Sequence, residues 1–306
     1  MGLFSFIGSI GSSIGAGIAK IASSIAPAVT SFAKTAFKAA TSLFTSLGDA
    51  GGFIGKIASV AGNLFSGVSR IVAGPLGPIV GQVVTNLIIA AVSKVVEWLS
   101  RKVEVVDPED TVEEVGYRVE EASQHDDWKK REEFDSFAEY HIYLKNKIPT
   151  SAIDRNKIES NRLAYIGLGL TVLNEGLGEK FGVNIPIEFL IEIGRAKLTG
   201  EEMNSLIKEF SAKGYELSFF RDYLQGRLSE DMSASIEATI LESLKKIYPE
   251  KSHDELSLQL SEMRDASRDD VKMLKNYEDE MSVLVQGKED TNVVEMIDDK
   301  ELNRTK

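Results

Sequence analysis

The chain contains no cysteine, which excludes disulfides, thiol catalysis and cysteine-ligated metals. It is also poor in histidine. His125, His141 and His253 lie far apart in sequence, so no metal-ligand spacing is formed. Acidic residues are missing from the whole of the start of the chain, and Asp49 is the first. Strand patterning is nearly absent; Val103-Glu104-Val105-Val106 is the best example and it is short. Enzyme motifs are missing too. Gly167-Leu168-Gly169 lacks the third glycine of a dinucleotide loop. No phosphate-binding Gly-x-x-x-x-Gly-Lys-Ser/Thr loop, Gly-x-Ser-x-Gly elbow or His-Glu-x-x-His pair occurs. The many carboxylates read as solvated helix faces. His141 lies among Phe134, Phe137, Tyr140 and Tyr143 and reads as a packing residue. The expectation is therefore a non-enzyme with no catalytic residue, no cofactor and no metal. A basic stripe with interleaved aromatics is lacking as well, so nucleic acid is not an expected partner.

What the chain does have is a division of charge. The first hundred residues carry Lys20, Lys34, Lys38, Lys56, Arg70 and Lys94 against Asp49 and Glu97, while the whole chain carries a net −12. A basic, apolar third favours anionic lipid, and the acidic remainder favours solubility. Within the basic third, Ile7, Ile10, Ile14, Ile18, Ile21 and Ile25 recur at helical intervals. After Pro27 the stripe continues through Val29, Phe32, Ala36, Ala39, Leu43 and Leu47. Serine, glycine and alanine fill the opposite side, which predicts an amphipathic helix over 2–47, broken near Pro27. A coiled coil would need Glu and Lys flanking the seam, and this stripe lacks them. Six isoleucines leaving water offer about 12 kcal/mol before ordering costs.

Glycine punctuates 48–77, where a helix in water is marginal because each glycine costs roughly 1 kcal/mol relative to alanine. The pairs Gly11/Gly15, Gly48/Gly52, Gly51/Gly55 and Gly77/Gly81 have the small-xxx-small spacing that lets helices pack closely in lipid. Residues 71–93 hold no charge. From Pro78, the stretch Ile79 to Trp98 is about long enough to cross a bilayer, with Trp98 placed as an interfacial anchor. Gln82, Thr85 and Asn86 suit a face turned toward protein or water.

A boundary is expected near 103–111. Asp107-Pro108-Glu109-Asp110 reads as a turn, and Thr111 with Glu114 as a capping box. Helices are expected at about 111–124, 134–147, 160–177, 186–197, 201–213, 216–227, 231–247 and 252–285. Met203, Leu206, Ile207 and Phe210 mark one buried face; Ile236, Ile240, Leu241, Leu244 and Ile247 mark another. Gly194, Gly200, Gly214 and Gly226 read as helix stops. The fold class expected is all-α: a membrane-active region at 1–102, a soluble acidic helical domain at 103–285, and a disordered charged tail at 286–306.

The opening Gly2-Leu3-Phe4-Ser5-Phe6-Ile7-Gly8-Ser9-Ile10 resembles amphibian membrane-lytic peptides that begin Gly-Leu-Phe, and is similar to the opening of viral fusion peptides. The resemblance spans some ten to twenty residues. It implies shallow, oblique insertion of Leu3, Phe4, Phe6, Ile7 and Ile10. N-myristoylation of Gly2 is disfavoured because Phe6 stands where Ser or Thr is wanted. A secretory signal is disfavoured because a basic start and a clear cleavage site are missing. The chain as a whole looks like a membrane-disrupting bacterial toxin or effector.

The expectation is a pore-forming protein made in the cytoplasm and then secreted or injected, an antibacterial effector or bacteriocin acting on a target cell membrane. Its partners would be the lipid bilayer, an immunity protein or delivery-machine carrier, and copies of itself in the membrane. Insertion is assigned to the aromatics and isoleucines above together with Phe32, Ile79, Leu87, Ile88, Ile89 and Trp98. Headgroup contact is assigned to Lys20, Lys34, Lys38 and Lys56, and helix packing to the glycine pairs. Two other classes fit the same sequence: a viral or phage particle protein whose arm penetrates a membrane or packs inside a capsid, and a non-lytic helical scaffold.

Overall fold

The computed structural model describes residues 27–277, and their side chains apart from 27–32, 71–80, 82 and 271. The docking ladder Leu3, Phe4, Phe6, Ile7, Ile10, Ile14, Ile18, Ile21 and Ile25, together with Lys20, Gly11, Gly15 and the 286–306 tail, lies outside the described residues.

The fold is all-α, with no strand among the described residues. Helix α1 runs Pro27–Gly48 and opens on proline, whose fixed φ suits a first helical position. It buries Ala33, Ala40 and Phe44, a face one position on from the expected stripe, together with Leu47 of that stripe. Ala36, Ala39 and Leu43 of that stripe are only half-buried. Small alanines give both faces similar apolarity, so the placement of the large Phe44 ring decides the rotation.

Gly51 (φ 69°) and Gly52 (φ 56°) turn the chain through left-handed backbone that other residues rarely adopt. Helix α2 then spans Gly52–Lys102, longer than the spanning stretch expected from Ile79. A straight helix would hold Phe65 and Glu97 about 48 Å apart. Yet Phe65 presses on Gly167, while Glu97 bonds the amide of Val112, whose carbonyl packs on Gly169. Helix α2 therefore folds back on itself. The fold-back lies between Gly67, which meets Ile191, and Ile88, which meets Gly194. That interval includes Gly74, Pro75, Gly77 and Pro78, the residue types that kink helices.

At its far end α2 closes with a backbone bond from Val105 to Ser100 and one from Glu104 to Arg101. Glu104 sits there at φ 61°, a position usually held by glycine. The short strand-like pattern Val103–Val106 falls in this helix cap. The expected turn forms through Asp110 N–H to Asp107 C=O at 3.1 Å. Thr111 then caps α3, its hydroxyl accepting from the Glu114 amide at 3.3 Å.

Most of the expected helices of the acidic remainder form, with two departures. Arg155–Ser160 adds a short helix. The helix expected at 252–285 breaks at extended Asp269, and its part beyond residue 277 lies outside the described residues. The helices are α3 Val112–Ala122, α4 Phe137–Lys147, α5 Arg155–Ser160, α6 Arg162–Phe181, α7 Ile187–Arg195 and α8 Gly200–Ala212. Then come α9 Ser218–Leu224, α10 Glu230–Ile247, α11 His253–Arg268 and α12 Asp270–Lys275. Gly214 and Gly226 stop helices at positive φ. Gly194 lies inside α7 and Gly200 opens α8, because both are needed for close packing.

The larger of two apolar clusters runs from Ala33 through to Tyr277, with members on both sides of residue 102. A smaller one joins Tyr117, Ile148, Ile153, Ile158 and Tyr165. Helix α6 is the hub and lies against α1, α2 and α3. Its approach to α3 depends on two glycines. A Cβ on Gly116 would stand 2.1 Å from the Tyr165 carbonyl oxygen, and one on Gly169 would stand 1.9 Å from that of Val112. The two backbones touch where side chains would hold them apart.

Candidate membrane-active arm and its seat

Residues 27–102 form the arm: α1, the first limb of α2 and the second limb beyond the bend. The second limb contains Val83–Lys102, the helix among the described residues that is long and apolar enough to cross a membrane, and 89% of its apolar window is buried. Leu87, Ile88 and Ile89 are at most 1% exposed, so in this state they pack on protein. Trp98 is half-buried, its ring against Gly200 and its face under the Lys102 ammonium at 4.5 Å. Phe32, Gly77 and Ile79 lie within helices, with side chains outside the described set; Gly81 is buried.

The lysines assigned to headgroups divide. Lys34 and Lys38 are exposed on α1. Lys56 pairs with Glu175 of α6 at 3.2 Å, an exposed contact of small energetic weight. The glycine pairs also have a role within this fold. Gly51 and Gly52 make the turn, and a Cβ on Gly55 would stand 3.0 Å from the Gly48 carbonyl oxygen across it. These spacings serve a tight hairpin, a role that spacing alone does not separate from helix packing in lipid.

The seat is built from aromatics pressed onto glycines. Phe44 and Phe65 meet edge to face at 5.0 Å, and both would lie 2.7 Å from a Cβ on Gly167. Phe53 at the hairpin tip meets Tyr140 of α4 edge to face at 5.8 Å. On the second limb, Val92 and Ile88 would stand 2.6 and 2.7 Å from a Cβ on Gly194.

Two buried polar clusters pin this arrangement. At the reversal, Glu97 accepts from the Val112 amide at 2.7 Å and pairs with Arg101 at 3.0 Å. Asp110, fully buried, pairs with fully buried Arg118 at 3.1 Å and with His141 Nε2 at 2.9 Å. Lys145 reaches the same carboxylate at 3.3 Å. Arg118 also donates to the Ile148 carbonyl and the Thr150 hydroxyl. Burial alone would push Asp110 up, but the hydrogen bond and charge of His141, then Arg118 and Lys145, hold it well below the usual carboxylate range.

The second cluster lies under the second limb. Arg195 is 2% exposed and donates to the Ala266 carbonyl from Nε at 3.0 Å and Nη2 at 2.7 Å. It meets Asp270 at 2.9 Å in an ion pair whose angle does not make a hydrogen bond. Tyr277 donates to the Gly194 carbonyl, and Asn276 donates to that of Arg195 at 2.9 Å. Lys197, at φ 52°, donates to the Asn276 carbonyl at 3.0 Å. The last described residues are thus tied beneath the arm. Burial pushes the Glu192 carboxyl up, partly offset by Arg195, Ser267, Gln225 and Arg221.

The sequence pattern singles out none of Arg118, Glu192 and Arg195, and Asp110 only as a turn residue. The available signal was charge inside apolar stretches: Arg118 falls between Val115 and Val119, and Glu192 between Ile191 and Ile193. Charges there are buried only with partners. Among the described residues no group of His, Asp and Glu is arranged to hold a metal. Comparison with protein-family models, curated proteins and solved structures finds no match.

Proposed function

We propose that this chain permeabilises membranes, and that the described fold is its soluble form with the inserting arm stowed in the core. The observation that carries the reading is the second limb: a helix of spanning length, buried in a bundle whose acidic helices face water. Its core residues Val83, Val84, Leu87, Ile88, Ile89, Val92, Val95, Val96 and Leu99 contribute roughly 2 kcal/mol each by leaving water. Lipid tails are as apolar as a protein core, so moving the limb between the two changes this term little. The polar clusters that close the seat then set the balance.

In this scheme the isoleucine ladder docks first, Lys34 and Lys38 meet anionic headgroups, and the limbs of α2 follow. An antibacterial effector or bacteriocin, with an immunity protein in its producer, is the setting that best suits such a protein. Dye-loaded anionic liposomes test the reading. The full chain is expected to release dye, and the 1–102 fragment to release it faster. No leakage from either would end the proposal.

The burial of the second limb also favours a second reading, a non-lytic helical scaffold in which 83–102 is a core helix and nothing more. Its mark would be unchanged protease protection of 83–102 with and without anionic vesicles, alongside intact dye retention.

A further inference from the structure

A cavity of about 430 Å³ opens at the seam between the first limb of α2, helix α7 and helix α9. Asn63, Gly67 and Arg70 line it from α2, at spacings that share one helix face. Gly67, Ile187 and Ile191 supply its apolar part. A Cβ on Gly67 would stand 3.2 Å from Ile191 Cδ1, so bare helix backbone and an isoleucine side chain meet there. Two of its lining residues are arginines, Arg70 and Arg221. Arg70 is exposed and has no ionic partner among the described residues. Arg221 reaches Glu188 at the rim only at 3.8 Å. On the inner wall Glu192 is 1% exposed; Gln225 donates to one of its oxygens at 3.0 Å and the other has no hydrogen-bond partner.

We propose that this recess binds the phosphate of an anionic phospholipid, with Arg70 and Arg221 on the phosphate and the acyl-bearing glycerol against Gly67 and Ile191. This rests on the membrane reading above and names the chemistry that the soluble form would recognise. The planar guanidinium fork matches phosphate oxygens in paired hydrogen bonds. A free phosphate would fill only a fraction of the recess and leave the apolar part wet. An amphiphile uses both. Glu188 opposes an anion and competes for Arg221, so its removal should favour binding. Burial favours the neutral form of Glu192, which lowers the repulsion from the inner wall. A lipid held here meets the Gly67–Ile191 contact, where the first limb leans on α7.

Titration calorimetry on the full chain tests this with three soluble probes: short-chain phosphatidylglycerol and phosphatidylcholine below their micelle concentrations, and inorganic phosphate. The expected result is saturable one-to-one binding of phosphatidylglycerol, at least tenfold tighter than either of the others. Arg70→Gln with Arg221→Gln should weaken it tenfold or more, and Glu188→Gln should strengthen it. Lys180→Gln with Lys208→Gln, at exposed lysines away from the recess lining, should leave it unchanged. Equal binding of inorganic phosphate, or of phosphatidylcholine, would overturn the assignment. So would unchanged affinity in the arginine variant, or weaker binding in Glu188→Gln. Liposome leakage separates the two claims. Selective binding without leakage leaves the recess assigned and the permeabilising role refuted. Leakage with no arginine dependence in the titration does the reverse.

Discussion

Asp110 and Arg118 show how single residues hold together the helices on which the arm packs. Each is fully buried, and each is satisfied only because the other elements converge on it. Breaking such a pair leaves an uncompensated charge, which costs about 3 kcal/mol or more. Asp110→Asn should therefore lower unfolding stability by about 3 kcal/mol in urea titrations. Asp126→Asn, at a fully exposed carboxylate, should change it by less than about 0.5 kcal/mol. The pH dependence of the two clusters has opposite sign. Asp110 is held below its ordinary value, so its contribution is present above about pH 3.9 and is lost as pH falls further. Glu192 is pushed above its ordinary value, so its contribution is complete below about pH 4.3 and is lost as pH rises through the shifted value. Mild acid should thus tighten the seat at Glu192. Glu192→Gln should flatten the rise in stability measured between neutral pH and about pH 5. A stability that falls over that range in the parent protein would contradict this assignment.

At the scale of the helices, glycine does two different jobs, and substitution separates them. Gly169 lies where a Cβ would meet the Val112 carbonyl oxygen at 1.9 Å. Gly62 is helical too, but a Cβ there would find Phe44 Cβ at an ordinary 3.9 Å. Gly62→Ala should stabilise by up to about 1 kcal/mol through helix propensity. Gly169→Ala should destabilise by more than about 2 kcal/mol, because two helix backbones must separate. Thermal unfolding of the two variants checks the contrast. The helices of the acidic part were legible in the sequence because caps such as Thr111 and the left-handed glycines 214 and 226 act locally. The rotation of α1 and the fold-back of α2 were not. Alanine-rich faces leave rotation to the fit of Phe44 on Gly167, and the fold-back between the limbs shows only in where Phe65 and Glu97 land. Gly194 and Gly200 read as stops because their packing partners, Ile88 and Trp98, lie about a hundred residues earlier.

For the molecule as a whole, composition pointed to lipid and the fold answers with concealment. Among the described residues, Ile142 and Leu258 are the large apolar side chains left exposed. The uncharged run that reads as a membrane span is, in this state, partly the bend and partly the core. Sequence pattern cannot separate those outcomes, since a buried core helix and a spanning helix have the same apolar surface. The candidate seat was likewise illegible, being made of contacts between distant segments. The central claim is that the second limb leaves this seat for lipid. Trp98 reports on it directly in a Trp128→Phe background, with fluorescence quenching by brominated acyl chains in anionic vesicles. The account predicts that Trp98 becomes quenched by bromine near the interface as dye leaks from the same vesicles. Leakage with Trp98 unquenched, or neither effect at saturating lipid, would contradict it.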